Sequence, residues 1–202
     1  MEAGERDNVY KVYDKIAGWY YENRYKGLIE KNHLDDFLGH LPANASILDL
    51  GCGTGIPIME YLIDNKLDVT GVDASSQMLE IAKQNFPSQT FILQDMRLID
   101  LNQKFDGIIA WHSFFHLPAA DQLQMFARFA QHLNPGGVLL FTSGTEHGEA
   151  WGMNGGENLF HASLSTAEYQ SLLSQHNFQV LNHIVEDPEC GLATIWMAQY
   201  LS

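Results

Sequence analysis

Three glycines, Gly51, Gly53 and Gly55, alternate along Gly51-Cys52-Gly53-Thr54-Gly55, directly after the run Ser46-Ile47-Leu48-Asp49-Leu50. A strand that ends in such a loop lets its backbone approach a ligand closely. The Gly-Lys-Ser/Thr of a phosphate-binding loop is absent, and Ile56 stands where a dinucleotide fingerprint needs its third glycine. Asp49, two residues before the first glycine, would repel a pyrophosphate and attract an ammonium group. Asp73 lies 22 residues after Gly51, a separation at which a carboxylate reaches a ribose diol. Asp95 follows a further apolar run and suits an adenine amino group. Alone, each carboxylate reads as a solvated loop residue or a helix cap. Together with the glycines, on one rim of a sheet, they read as a nucleoside site. His112 and His116 follow another apolar run and carry side chains suited to proton transfer at neutral pH. Their spacing also occurs in zinc sites, but neither a glutamate beside the first nor a third ligand accompanies them, so no metal is expected.

The elements that must position these groups alternate. Val9, Val12, Tyr13, Ile16, Ala17 and Tyr20 recur at helical spacing, and a second helix is predicted from Leu28 towards Leu38. Strands are predicted at 46–50, 67–72, 90–93, 105–111 and 138–141. Helices lie between them: one from Pro57, one capped at Ser75 or Ser76 with Met78, Leu79, Ala82 and Phe86 inward, and one burying Leu123, Phe126, Ala127, Ala130 and Leu133. The turn Asn134-Pro135-Gly136-Gly137 precedes the fifth strand. Such alternation predicts βαβ crossovers and a mostly parallel sheet. The glycine-rich stretch 143–163 shows little pattern. Ser165-Thr166-Ala167-Glu168 is a capping box that opens a last helix. Two final strands, near 179–185 and 193–200, are joined so briefly that they must be antiparallel.

Composition narrows the partners. The 202 residues carry 11 Lys and Arg against 25 Asp and Glu, a net charge of −14. That field opposes nucleic acid and anionic membranes, and favours a cationic or neutral small ligand. Two cysteines cannot staple a fold. The polar start, Met1 to Arg6, lacks an apolar leader, and no long apolar run follows. A cytoplasmic protein of one domain, monomeric or homodimeric, is the expectation.

These motifs resemble those of the class I S-adenosylmethionine-dependent methyltransferases of the small-molecule kind. Residues 47–55 resemble their first motif, and Val69-Thr70-Gly71-Val72-Asp73-Ala74-Ser75 their second. Gln94-Asp95-Met96 resembles the adenine-contacting segment, Phe105 to Leu117 the fourth-strand motif, and Leu133 to Leu140 the turn before strand five. The resemblance spans about residues 9 to 200. It implies an α/β, Rossmann-like, seven-stranded, mostly parallel sheet flanked by helices, with the last strand antiparallel. It implies S-adenosylmethionine as cofactor, S-adenosylhomocysteine as product and a small-molecule acceptor. Gly51, Gly53 and Gly55 would pass close to the methionine moiety, with Cys52 in the same cofactor loop an inert thiol. Asp49 would face the ammonium and Asp73 the ribose. Ala74 and Met78 would flank the adenine, with Asp95 and Met96 at its edge. The Trp111 carbonyl would lie near the ammonium. His116 is the first candidate base and His112 the second. No Asn-Pro-Pro-Tyr motif follows strand four, which argues against the branches that methylate adenine and glutamine amides.

Residues 1–45 would form a helical lid. Within it Tyr13 and Tyr20 would close the site and touch the carboxylate end, with Tyr13 also at the acceptor, and Arg24 would pair with the cofactor carboxylate or with an acidic substrate. Residues 143–164 would form a substrate loop that contributes Trp151 and Phe160. Two other readings stand beside this one: a nicotinamide-dependent oxidoreductase, disfavoured by Ile56, Asp49 and the final strand pair, and a non-catalytic relative of the same fold.

Overall fold

The computed structural model describes residues 6–202, so the polar stretch read as lacking a leader lies outside the described residues except for Arg6. Helices α1 (Tyr10–Asn23) and α2 (Lys31–Gly39) precede the sheet. Then come β1 (Ser46–Leu50), α3 (Ile58–Asp64), β2 (Asp68–Asp73), α4 (Ser76–Asn85), β3 (Thr90–Leu93) and β4 (Phe105–Ala110). They are followed by α5 (Ala119–His132), β5 (Leu133–Ser143), β6 (Gly148–Asn154), β7 (Glu157–Ser163), α6 (Thr166–Gln175), β8 (Phe178–Asp187) and β9 (Ala193–Tyr200). Among the described residues, no helix is long and apolar enough to cross a membrane.

Seven strands form one sheet in the order β3-β2-β1-β4-β5-β9-β8. The β1–β2, β1–β4, β2–β3 and β4–β5 pairs are parallel, and β9 runs antiparallel to both β5 and β8. This is the expected α/β sheet, with the last strand reversed between its neighbours. β1 lies inside the sheet between β2 and β4, and its buried residues are apolar except Asp49 because helices cover both faces. On one face Phe105, Phe114, Phe126, Phe129, Phe141 and Trp196 are packed. On the other Leu34, Phe37, Met59, Leu62 and Leu140 are packed.

The local signals are realised where they are complete. The Ser75 side chain accepts from the Met78 amide at the start of α4, and Ser165 and Glu168 form the capping box of α6. Three expectations are corrected. First, α5 buries Gln122, Met125, Phe126, Phe129 and His132, while Leu123 and Ala127 face outward. The polar pair can be inside because it is bonded. The Gln122 amide donates to the Leu117 and Ala162 carbonyls and accepts from the Tyr169 hydroxyl. His132 Nε2 accepts from the Leu101 amide. Second, Asn134 to Gly137 is the irregular start of β5, not a separate turn, with a register shift between Phe105 and Gly107.

Third, the stretch read as patternless contains a regular hairpin, β6–β7, paired from Gly148↔Ser163 to Asn154↔Glu157. Its two-residue turn is Gly155-Gly156, at φ of 58° and 83°. A twisted hairpin needs positive φ at both turn positions, and adjacent glycines supply it without strain. The hairpin lies against α1, where Gly155 packs on Ile16 and Trp19.

Candidate functional site

A cavity of about 990 Å3, counting its mouth, opens at the carboxyl ends of β1 to β4 and is covered by α1. The glycine loop forms its floor. The Gly51 and Cys52 amides donate to the Val72 carbonyl at 2.7 and 3.1 Å, which ties the loop to the end of β2. Gly51 has φ of 77°, and a Cβ there would collide with the Ser113 side chain, so only glycine serves. Ser113 is fixed by donating to the Leu50 carbonyl at 2.6 Å.

Asp73 accepts from the Gly53 amide at 2.9 Å and from the Ser75 amide at 2.8 Å. One oxygen takes each bond, leaving lone pairs on both for a ligand diol. Burial raises Asp73 to about 6; the Ser75 and Gly53 amides oppose the rise, and the Asp14 charge adds to it. Burial, and then the charge of Asp73, raises Asp49 to about 7, while Arg24 pulls it down. The Cys52 thiol is pushed well up by burial and by both carboxylates, so it stays protonated and inert.

Every residue placed at the cofactor from the sequence lines this one cavity: Tyr20 and Arg24 from α1 and its end, Asp49, Gly51, Cys52 and Gly53 from the loop, Asp73, Ala74 and Met78 from the β2–α4 junction, Asp95 and Met96 after β3, and Trp111 after β4. Tyr13, His112 and His116 line it too. His112 adopts φ of 49°, and its amide donates to Thr142 Oγ1 at 2.9 Å, which turns the chain sharply after β4. Burial lowers His112 to about 4 and His116 to about 3. Both rings are therefore neutral at physiological pH.

Trp151 and Phe160, expected at the acceptor, do not line the cavity. They pair across the hairpin with ring centroids 5.3 Å apart, and Phe160 is buried with Val9, Val12, Leu159 and Ala162 under α1. Phe160 contributes its carbonyl instead, which accepts from His116 Nδ1 at 2.8 Å. A second, more open groove runs along Ser143 to Ala150 and His161 to Ser163. Phe115 and His161 stand between it and His116, with His161 and His116 ring centroids 4.8 Å apart.

The sequence reading missed Asp14 and Arg97. From α1, Asp14 accepts from Ser75 Oγ at 2.7 Å and from the Gln77 amide at 3.1 Å, so it fastens the helix across the mouth. Arg97 grips both oxygens of Asp95, reaches Asp121 at 2.9 Å and donates to the Asp7 carbonyl at 2.8 Å. Asp14 meets only distant partners, so no local pattern announces it, whereas the Asp95-Met96-Arg97 spacing was a local signal for the Arg97 grip on Asp95.

The donor set suits a nucleoside that bears an amino-acid tail. Asp49 can take an ammonium, Asp73 a diol, and Ala74, Met78 and Met96 a flat base. Among the described residues, Arg24 Nε and Trp111 Nε1 are buried donors without a partner, the complement of a carboxylate.

Residues 47–137 match a family model described as a methyltransferase domain. A dTDP-3-amino-3,4,6-trideoxy-alpha-D-glucopyranose N,N-dimethyltransferase of Streptomyces venezuelae is 35% identical over 101 residues, which are 49% of this chain and 42% of that protein. A malonyl-[acyl-carrier protein] O-methyltransferase of Enterobacter lignolyticus is 34% identical over 119 residues, 57% of this chain and 46% of that one. The matched part thus spans less than half the length of either relative. A solved S-adenosylmethionine-dependent methyltransferase from Clostridium acetobutylicum superposes with a TM-score of 0.73 at 18% identity, over 95% of this chain and 100% of that one. Residues 47–137 thus resemble a methyltransferase domain, and the chain has the Rossmann-like fold of that solved S-adenosylmethionine-dependent methyltransferase.

Proposed function

We propose that the protein transfers a methyl group from S-adenosylmethionine to a small, polar acceptor that is neutral or cationic. One observation carries the reading: the glycine loop, Asp49 and Asp73, all within the 47–137 match to a methyltransferase-domain model, line a single cavity with Arg24 at the carboxyl ends of the central strands. When bound, S-adenosylmethionine supplies an electrophilic methyl carbon on a sulfonium whose sulfur leaves readily. The chain supplies proximity, alignment and exclusion of water. Asp73 holds the ribose, Asp49 the ammonium and Arg24 the carboxylate. Ala74, Met78, Asp95 and Met96 hold the base. α1 brings Tyr13 and Tyr20 over the cavity and closes it. His112 and His116 are the groups we assign to the acceptor end.

The two relatives are an N,N-dimethyltransferase of a dTDP-amino sugar and an O-methyltransferase of malonyl-[acyl-carrier protein], so they leave the acceptor atom open between nitrogen and oxygen. Charge narrows the molecule. A chain with 25 acidic and 11 basic side chains repels a nucleotide diphosphate or an acidic carrier protein. A free small acceptor fits better. The groove beside His161, which also carries Glu146 and Glu149, is the approach we assign to it, within the 143–164 segment. This reading assigns the protein to the cytoplasm, because Cys52 and Cys190 are free thiols.

Calorimetric titration with S-adenosylmethionine, S-adenosylhomocysteine and NADH tests the cofactor. Micromolar binding of the first two and none of the third supports the reading; NADH binding alone overturns it. Transfer of a radiolabelled methyl group to a panel of amino sugars, amino alcohols and polyols, set beside phosphorylated and carboxylated counterparts, tests the acceptor class. Labelling confined to the anionic members overturns that part.

A further inference from the structure

We infer that Glu30 is a positioning residue: it holds the Arg24 guanidinium at one end of the cofactor cavity, so that the site selects its nucleoside by the zwitterionic amino-acid tail. This rests on the cofactor reading above. Glu30 stands immediately before α2 and is only 4% exposed. Its Oε1 lies 3.8 Å from Arg24 Nη2, beyond hydrogen-bond length, and its Oε2 has no hydrogen-bond partner. A carboxylate withdrawn from water and so loosely paired is costly to maintain. The other buried polar residue there, His33, is bonded instead to Asp187 at 2.7 Å.

Arg24 is incomplete in the same way. It ends α1, with its amide donating to the Tyr20 carbonyl at 2.8 Å, and Nη1 donates to the Tyr20 hydroxyl. Its Nε is buried without a partner. Its charge is felt by Asp49, which it draws towards ionisation. Arg24 thus interacts with two carboxylates, and only Asp49 lines the cavity. A guanidinium without Glu30 would be drawn onto Asp49 and would cancel the charge that an incoming ammonium needs. Opposed by Glu30, it leaves Asp49 free for the ammonium and keeps donors for the carboxylate. The pair is unfinished until a group carrying both charges arrives.

The test compares two ligands by calorimetry: S-adenosylhomocysteine, and 5′-methylthioadenosine, which keeps the nucleoside and thioether but has no amino-acid tail. Glu30→Gln should weaken S-adenosylhomocysteine about tenfold or more and leave methylthioadenosine within about twofold. Arg24→Gln should do the same, and the double variant should be no weaker than Arg24→Gln alone. Glu30→Asp, which keeps the charge but draws it back, should show a smaller loss on S-adenosylhomocysteine only, and it serves if the glutamine variant does not fold. Equal weakening of both ligands would make Glu30 merely structural and overturn the inference. So would no effect on either ligand, or losses that multiply in the double variant. If the wild-type chain binds neither ligand, the cofactor reading fails and this inference falls with it. If it binds S-adenosylhomocysteine and the variants match it, this inference alone falls.

Discussion

The Tyr13 hydroxyl lies 3.0 Å from His116 Nε2, while Nδ1 of the same ring lies 2.8 Å from the Phe160 carbonyl. A carbonyl only accepts, so Nδ1 carries the ring proton and Nε2 accepts from Tyr13. The three groups come from α1, the turn after β4, and β7. Both nitrogens of His116 are therefore engaged. With its ring held at about 3, His116 fixes the Tyr13 hydroxyl at the cavity wall and does not keep a proton that an acceptor releases. Tyr13→Phe removes that contact and leaves a buried acceptor unpaired, a cost of about 1–3 kcal/mol in stability. Methyl transfer in a single turnover should fall at least tenfold while S-adenosylhomocysteine affinity, read by calorimetry, stays within about twofold. Unchanged transfer would remove the pair from the chemistry.

The same geometry fixes the protonation of His116. Burial holds it at about 3; the Phe160 carbonyl pulls upward, and His161 and His112 push further down. Nitrogen-15 spectra of histidine-labelled protein should show the His116 ring, assigned by its loss in His116→Asn, protonated at Nδ1 and neutral from pH 8 to pH 5. A midpoint near the ordinary ~6.5 would contradict the burial argument.

Asp49 sets the pH dependence of cofactor binding. With burial and Asp73 holding it at about 7, it is partly protonated at neutral pH before a ligand arrives. An ammonium favours the ionised form, so binding expels a proton and affinity rises with pH up to about 7, then levels. The S-adenosylhomocysteine dissociation constant should therefore increase as pH falls from 8 to 5.5. Asp49→Asn should bind more weakly at pH 8 and lose most of the slope that remains. A slope that survives intact in the variant would assign it to Asp73, held at about 6.

Asp73 already accepts from two backbone amides, so its orientation does not depend on a ligand. Asp73→Ala should weaken both S-adenosylhomocysteine and methylthioadenosine by ~1–3 kcal/mol, because each keeps the ribose. Loss on one ligand alone would place the carboxylate away from the diol.

What the sequence disclosed and what it concealed divide by range. The glycine loop, Asp73, the Ser75 cap and the Ser165–Glu168 box are legible because each is a contact within a few residues or at a strand end of fixed geometry. The residues lining the cavity followed once β1 to β4 were in order, since parallel strands present their carboxyl ends together. Trp151 and Phe160 were misplaced because an aromatic between glycines looks the same whether it lines a pocket or roofs a small core. The Gly155-Gly156 turn was a local signal that could have revealed the hairpin. The inward face of α5 was misread because Gln122 and His132 look like surface residues until their partners, Tyr169 and Leu101, are known. Asp14 belongs to that second kind: Ser75 is 61 residues away.

That long-range contact sets the last prediction. Asp14 joins α1 to the start of α4 through Ser75 Oγ and the Gln77 amide, while on its other side α1 rests on the hairpin through Ile16, Trp19 and Gly155. α1 supplies Tyr10, Tyr13 and Tyr20 to the cavity lining, so a ligand enclosed beneath the helix should leave when one of these attachments opens. Asp14→Ala removes the first. Ser75 still caps α4 by accepting from Met78, so the fold should hold and melting should shift only slightly. Release of S-adenosylhomocysteine, followed by stopped-flow displacement, should accelerate several-fold, and amide exchange in residues 10–23 should quicken relative to β1. Association should quicken too, so affinity should change less than either rate. If release is unchanged while amide exchange in α1 rises, the ligand leaves by a route that does not pass beneath the helix, and the groove beside His161 is then the exit.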